Sequence, residues 1–306
     1  MSTLPTVCVM LSAYNGMRFI EEQIDSILSQ RQVNVILIVR DDGSSDGTVS
    51  LLHRYGDRIR VNQGKNLGVG ESFMSMIWNN DIIADYYAFS DQDDVWLPDK
   101  LAAAAASLSG YGTPALYCSN QMLSDGAGNR TGVRYSAPPE ISWLQILCEN
   151  RVSGCTMVWN RALQHLMQEE QRRASGALLK KRIHDVWVAA VAALAGTIIY
   201  DEKPYILYRQ HGDNVVGAKK ENRLKLWRKK LRDPALRNGR SDLARELLRG
   251  YEDRIEDPET LDILHAFADY RVNSGARRKL RSMREVASRS GESYLSYRVK
   301  ILFRLV

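Results

Sequence analysis

Two unbroken apolar runs, Val7-Cys8-Val9-Met10-Leu11 and Val35-Ile36-Leu37-Ile38-Val39, constrain this chain more than any other feature. Five apolar residues without alternation leave no polar face for water, so each run belongs to a strand covered on both sides. Between them Ile20, Ile24, Ile27 and Leu28 recur at i, i+4, i+7 and i+8, with Glu21, Glu22 and Asp25 elsewhere, which predicts a helix with one core-facing stripe. The alternation continues through a strand near Ile59-Arg60-Val61, a helix around Ser72 to Trp78, a strand at Tyr86-Tyr87-Ala88-Phe89 and a helix through Ala102 to Ala106. Strands alternating with helices imply an α/β fold, a mostly parallel central sheet with helices on both faces. Ligands of such sheets bind beyond the carboxyl ends of the strands.

Three of those strands run into polar clusters: Ser12-Ala13-Tyr14-Asn15, Asp41-Asp42-Gly43-Ser44 and Ser90-Asp91-Gln92-Asp93-Asp94. In a doubly wound sheet these converge on one edge. Carboxylates gathered without basic partners raise each other's pKa and repel anions, and a hard divalent cation resolves the conflict. Asp91-Gln92-Asp93 has the alternate spacing that lets one carboxylate reach a metal while its neighbour takes a ribose or a water. Tyr14 is suited to stacking on a base and Asp42 to accepting an imide N–H, although each also suits an ordinary turn. No G-x-G-x-x-G follows the first strand and no GxxxxGK[ST] occurs, which disfavours Rossmann dinucleotide binding and P-loop chemistry.

Beyond Pro114 the pattern loosens into a strand at Ala115 to Cys118, a turn at Ser124 to Asn129, a helix from roughly Ile141 to Glu149, a strand at Cys155 to Trp159 followed by a helix, and an apolar helix opened by Asp185 and reaching Leu194. Four scattered cysteines, each among apolar neighbours, read as buried thiols rather than a disulfide framework. The net charge of +6 is unevenly spread. Residues 219–250 hold 12 basic and 4 acidic side chains and residues 277–306 hold 9 and 2, leaving −9 for the remainder. The basic part lies apart from the motifs and shows no helix-turn-helix, zinc-finger or aromatic RNA-binding signature, which argues against nucleic acid.

Taken together, Ser12 to Asn15, Asp41-Asp42-Gly43-Ser44-Ser45-Asp46-Gly47-Thr48, Asn66-Leu67-Gly68 and Ser90-Asp91-Gln92-Asp93-Asp94-Val95-Trp96 resemble the signatures of family 2 inverting glycosyltransferases with the GT-A fold. The likeness runs on through Gly154 to Val158, His184-Asp185-Val186-Trp187 and Arg209 to Gly217, and its details are similar to bacterial rhamnosyltransferases of the O-antigen and cell-wall rhamnan type. The resemblance implies a catalytic domain over 1–217, with a nucleotide-sugar half (1–113) and an acceptor half (114–217), and the change of composition marks a basic helical extension over 218–306. It also implies a nucleotide site of Ala13, Tyr14, Asn15, Asp42, Asn66 and Asp91, a Mg²⁺ or Mn²⁺ site of Asp93 with His211 as a second contact, and Asp185 as the base. A carboxylate at a helix N-terminus stays ionised, as a base must.

The donor implied is a dTDP- or UDP-linked sugar, best matched by dTDP-rhamnose, and the acceptor is a polyprenyl-diphosphate-linked glycan; an oligomer is compatible with the reading. A non-catalytic sugar-nucleotide or glycan-binding protein on the same fold would be expected to lose Asp93 or Asp185, and both are present. A nucleotidyltransferase would need a basic loop after the first strand, where this chain has Ala13-Tyr14-Asn15-Gly16. Lys219 to Arg232 and Tyr297 to Val306 interleave basic and apolar residues, as a helix on an anionic membrane surface does. Met1 to Thr6 shows no basic flank followed by a long apolar stretch and no run reaches roughly 20 apolar residues, so the expectation is a cytoplasmic protein held peripherally at the inner face of the cell membrane.

Overall fold

The computed structural model describes residues 3–79, 81–125, 128–210 and 238–305. His211 and the stretch from Lys219 to Arg232 lie outside the described residues. Contacts divide the chain into two compact units: residues 1–139, 152–169 and 196–218 form the first, and residues 140–151, 170–195 and 219–306 the second.

The first unit is built on a seven-stranded sheet. Strands β1 (Thr6–Ala13), β2 (Asn34–Asp41), β3 (Arg60–Gln63) and β4 (Tyr86–Ser90) are mutually parallel, and β6 (Ala115–Ser119) pairs parallel with β10 (Thr197–Asp201). Strand β9 (Val158–Asn160) runs antiparallel between β4 and β6, giving the order β10-β6-β9-β4-β1-β2-β3. Val7 through Leu11 are wholly buried, so both faces of β1 are covered, as the unbroken apolar run requires. A second sheet has the order β5-β11-β7-β8, from β5 (Val95–Trp96), β7 (Met122–Ser124), β8 (Arg130–Val133) and β11 (Ile206–Arg209).

Helices α1 (Ile20–Leu28), α2 (Thr48–His53), α3 (Val69–Trp78), α4 (Lys100–Leu108) and α6 (Arg161–Gln168) complete this unit. On α1 Ile20, Ile24 and Ile27 are buried as expected and Leu28 partly so, but Gln23 and Ser26 are buried with them. Gln23 Nε2 donates to Ser90 Oγ at 2.6 Å, and the Trp96 amide donates to Ser26 Oγ at 3.0 Å. The helix is thus tied by polar groups to the end of β4 and to β5. The strand expected over Cys155 to Trp159 begins later, because a 3-10 turn occupies Gly154–Thr156. The Thr156 amide and hydroxyl both donate to the Ser153 carbonyl and the Met157 amide to the Gly154 carbonyl, closing a local turn where the apolar run suggested extension.

The second unit is helical: α5 (Trp143–Cys148), α7 (Gly176–Leu179), α8 (His184–Ala195), α9 (Gly239–Tyr251), α10 (Pro258–Asp269), α11 (Ser274–Ser282), α12 (Arg284–Arg289) and α13 (Tyr294–Leu302). Its core includes Leu144, Trp187, Val191, Leu247 and Phe267, and the Trp187 ring meets Tyr251 edge-on at 5.8 Å. The buried Arg172 forms a two-pronged pair with Asp253 at 2.7 and 2.8 Å. All four cysteines are buried and stand outside any disulfide. No helix among the described residues is long and apolar enough to cross a membrane.

Candidate active site

Strand β1 lies between β2 and β4, with Ala13 opposite Asp41 and Leu11 opposite both Val39 and Ser90. That register sets the three polar clusters side by side. The Asp42 amide donates to the Ala13 carbonyl at 2.8 Å, the Asn15 amide to Ser44 Oγ at 2.8 Å, and the Ser45 amide to Asn15 Oδ1 at 2.8 Å. Asn15 adopts a positive φ of 49°, which an asparagine tolerates better than most side chains. Across the other flank the Tyr14 amide donates to Gln92 Oε1 at 2.8 Å and Gln92 Nε2 donates back to the Tyr14 carbonyl at 3.1 Å. The backbone of Tyr14 is clamped while its side chain is 49% exposed, so its ring is available to a flat partner. Gly16 makes the clamp fit, since a Cβ there would stand 2.3 Å from Gln92 Oε1.

Asp42 is buried and heavily engaged. Its carboxylate pairs with Arg40 Nη2 at 2.9 Å and accepts the amides of Leu67, at 3.0 and 3.1 Å, and Gly68, at 2.9 Å. The loop carrying Asn66 is therefore folded onto Asp42, and Asn66 Oδ1 itself accepts the Gly68 amide at 3.0 Å. Gly43, at φ 84°, lets the turn pass, because a Cβ there would meet the Asn66 amide nitrogen at 3.1 Å. Asp41 Oδ2 accepts the amides of Gly43 and Ser44.

Below the third cluster a polar group of atoms converges that motif spacing alone did not single out. One oxygen each from Asp91 and Asp94 and the Cys155 sulfur lie within 4.8 Å of one another. Asp94 Oδ1 accepts the Arg209 amide at 3.3 Å, whereas Oδ2 is buried without a hydrogen-bond partner. Burial, reinforced by Asp93 and Asp91, pushes the Asp94 carboxyl well above its ordinary range, and burial does the same to the Cys155 thiol. Lys100 is fully buried, its Nζ 3.7 Å from the Trp96 ring centre, and burial brings its pKa down to about 7. The Asp91 carboxylate, the Asp94 carboxylate with its orphaned Oδ2, and Asp93 beside them form a donor set that fits a divalent cation, whose charge would favour the ionised form of Asp94.

In the second unit Asp185 stands in the first turn of α8, half-buried, with Oδ1 accepting the Val186 amide at 2.6 Å. Its neighbour His184 is buried, and that burial pushes its pKa down to about 3, so the ring is neutral at physiological pH.

The sequence profile of Glycosyl transferase family 2 matches residues 8–166, which include all three clusters and Cys155. The dTDP-rhamnosyl transferase RfbG of Shigella flexneri is 30% identical over 216 residues, spanning 68% of this chain and 74% of its own. The chain belongs to glycosyl transferase family 2. The glycosyltransferase RP339 of Rickettsia prowazekii is 28% identical over 160 residues, half of each chain. Among solved structures, TarS residues 1–349 of S. aureus has a TM-score of 0.60 at 17% identity, over 98% of this chain and 81% of that one. The mannosyltransferase PcManGT from Pyrobaculum calidifontis has a TM-score of 0.50 at 16% identity, over 99% and 86%. At such identities the likeness is one of fold, and the fold is that of GT-A glycosyltransferases.

The transferase thus brings Ala13, Tyr14, Asn15, Asp42, Asn66, Asp91 and Asp93 into one unit, and holds Asp185 in the other. Sequence reading passed over Gln92, Asp94, Lys100, Arg40 and Cys155. Gln92 and Asp94 lie within the Ser90 to Trp96 motif, where the alternate-carboxylate spacing draws attention to Asp91 and Asp93 instead. Nothing local marks Lys100, which precedes an alanine run, as the buried base of the cluster.

Proposed function

We propose that this protein is a metal-dependent inverting glycosyltransferase that moves L-rhamnose from dTDP-rhamnose to a hydroxyl of a polyprenyl-diphosphate-linked glycan, in O-antigen or cell-surface polysaccharide synthesis at the inner face of the cell membrane. The observation that carries the chemistry is the carboxylate cluster on the loop whose Gln92 clamps the backbone of the exposed Tyr14. The choice of sugar is supported by the relative named as a dTDP-rhamnosyl transferase. Solved neighbours support a nucleotide-sugar donor and a metal: TarS has been solved with UDP-GlcNAc, and PcManGT with GDP-Man and Mn²⁺.

In this reading Tyr14 stacks on the base, the Asp42 edge and the Ala13, Asn15 and Asn66 loops enclose the nucleoside, and Asp91 holds the ribose. Asp93, with Asp91 and Asp94 near it and His211 as a further contact, holds Mg²⁺ or Mn²⁺, which supplies Lewis-acid neutralisation of the departing diphosphate. Asp185 accepts the proton of the acceptor hydroxyl as that oxygen attacks the anomeric carbon from the face opposite the leaving group. One displacement inverts the centre, and no covalent intermediate is needed.

A thermal-shift panel of dTDP-, UDP- and GDP-sugars, each with and without Mn²⁺ or Mg²⁺, tests the reading. Ligand at about a hundred times its Kd should add about 2.7 kcal/mol of stability, greatest for the dTDP sugar with metal. Stabilisation by none of them sinks the proposal. Asp185→Asn should abolish turnover and leave that shift nearly intact; loss of the shift instead would remove Asp185 from the role of base.

A further inference from the structure

Helix α13 uses only one side to join its unit. Tyr297 and Ile301 are fully buried, yet Leu295 (72%), Val299 (41%), Leu302 (51%) and Phe303 (65%) are exposed. Their spacing, i, i+4, i+7 and i+8, makes them one apolar stripe along the outer face of the helix and its C-cap. Single exposed apolar residues are ordinary, whereas four aligned at the helical repeat form a surface that water disfavours.

The surroundings of the stripe identify what it suits. Residues 271–305 contain 10 basic side chains and 2 acidic ones. Both acids are near basic groups: Glu292 pairs with Lys300 at 2.6 Å, and Glu285 adjoins Arg284 in sequence. Arg298 and Arg304 are exposed at the margins of the stripe. Arg284 and Arg298 both lie over the Tyr294 ring, at 5.1 and 5.6 Å, while Tyr294 Oη donates to the Arg281 carbonyl at 2.8 Å. Helix α11, which packs on α13, adds Arg277, Arg278 and Arg281, its Lys279 being paired with Asp262. A second copy of the chain would bring this same positive field against itself, which disfavours self-pairing. A bilayer containing anionic phospholipid satisfies both halves of the surface, taking the apolar stripe at the acyl boundary and the guanidinium groups at the phosphates.

We infer that the outer face of α13, Leu295, Val299, Leu302 and Phe303 with Arg298 and Arg304, docks in the interfacial layer of an anionic membrane. The inference deepens the proposed membrane-borne acceptor, but it makes its own demand: binding without any sugar nucleotide. The full chain is floated with phosphatidylcholine vesicles with and without phosphatidylglycerol, alongside the double variants Leu302→Glu/Phe303→Glu and Arg298→Glu/Arg304→Glu. Wild type should float with the anionic vesicles only, and each double variant should bind at least about tenfold more weakly with an unchanged melting temperature and unchanged donor-induced thermal shift. Undiminished binding by the stripe variant overturns the inference, as does equal binding to neutral vesicles. A concentration-dependent dimer that the stripe variant abolishes, without vesicle binding, also overturns it and assigns the face to a second copy. Failure here leaves the transferase reading standing, because that reading is judged by the thermal shift with sugar nucleotides.

Discussion

Gln92 shows how a motif can conceal its working parts. Its side-chain amide reads the backbone of Tyr14 as a neighbouring strand would, and Gly16 leaves it room. Gly16→Ala should displace Gln92 and break both hydrogen bonds, so its cost should approach that of Gln92→Ala, about 1–3 kcal/mol. Because both act on one contact, the double variant should cost little more than either alone, which urea denaturation of the four proteins measures directly. Additive losses would mean that the two residues act separately. The acidic character of this edge was legible from Asp91-Gln92-Asp93. The Cys155 contribution was not, because a thiol in an apolar stretch carries no sign of what a turn 64 residues earlier in the sequence will set beside it.

Among the elements, strands were easier to read than their polar supports. The unbroken runs of β1 and β2 could be nothing but doubly covered strands, and the stripe of α1 emerged from its 3.6-residue repeat. Gln23 and Ser26 disobey that repeat because their partners, Ser90 and the Trp96 amide, are distant in sequence. Helix α8 carries the corresponding pH consequence. Above pH 6.5 the His184 ring is neutral in folded and unfolded chains alike; below it the unfolded chain takes a proton that the folded ring refuses until about pH 3. Stability is therefore lost as pH falls through that window. Relative to His184→Gln, wild type should lose about 1.4 kcal/mol of unfolding free energy per pH unit between pH 6 and 4, as read by denaturant melts at each pH. A constant difference would show that the ring titrates in place.

Across the whole molecule, the overall charge of +6 averages a motif-bearing part that is acidic and a C-terminal part that is strongly basic. The division of the chain is less simple than a catalytic segment followed by a tail, for the backbone passes between the two units five times, at 139/140, 151/152, 169/170, 195/196 and 218/219. Composition marks a change near Lys219, but it cannot reveal that α5 and α8 find their packing partners in α9 and α12, far downstream. Ending the chain after Ala218 should strip Trp187 of Tyr251 and leave α5 and α8 uncovered. The expected result is a product that binds hydrophobic dyes and lacks a cooperative melt; a sharply melting fragment would contradict it.

The same interleaving sets a timetable on the ribosome. The sheet can close once Asp201 has emerged, but α8, which holds Asp185, must wait for α9 before its apolar sides are covered. The helix proposed to supply the base is thus made early and finished late, and during that interval a nascent chain displays Trp187, Val188 and Val191 to whatever chaperone attends its synthesis.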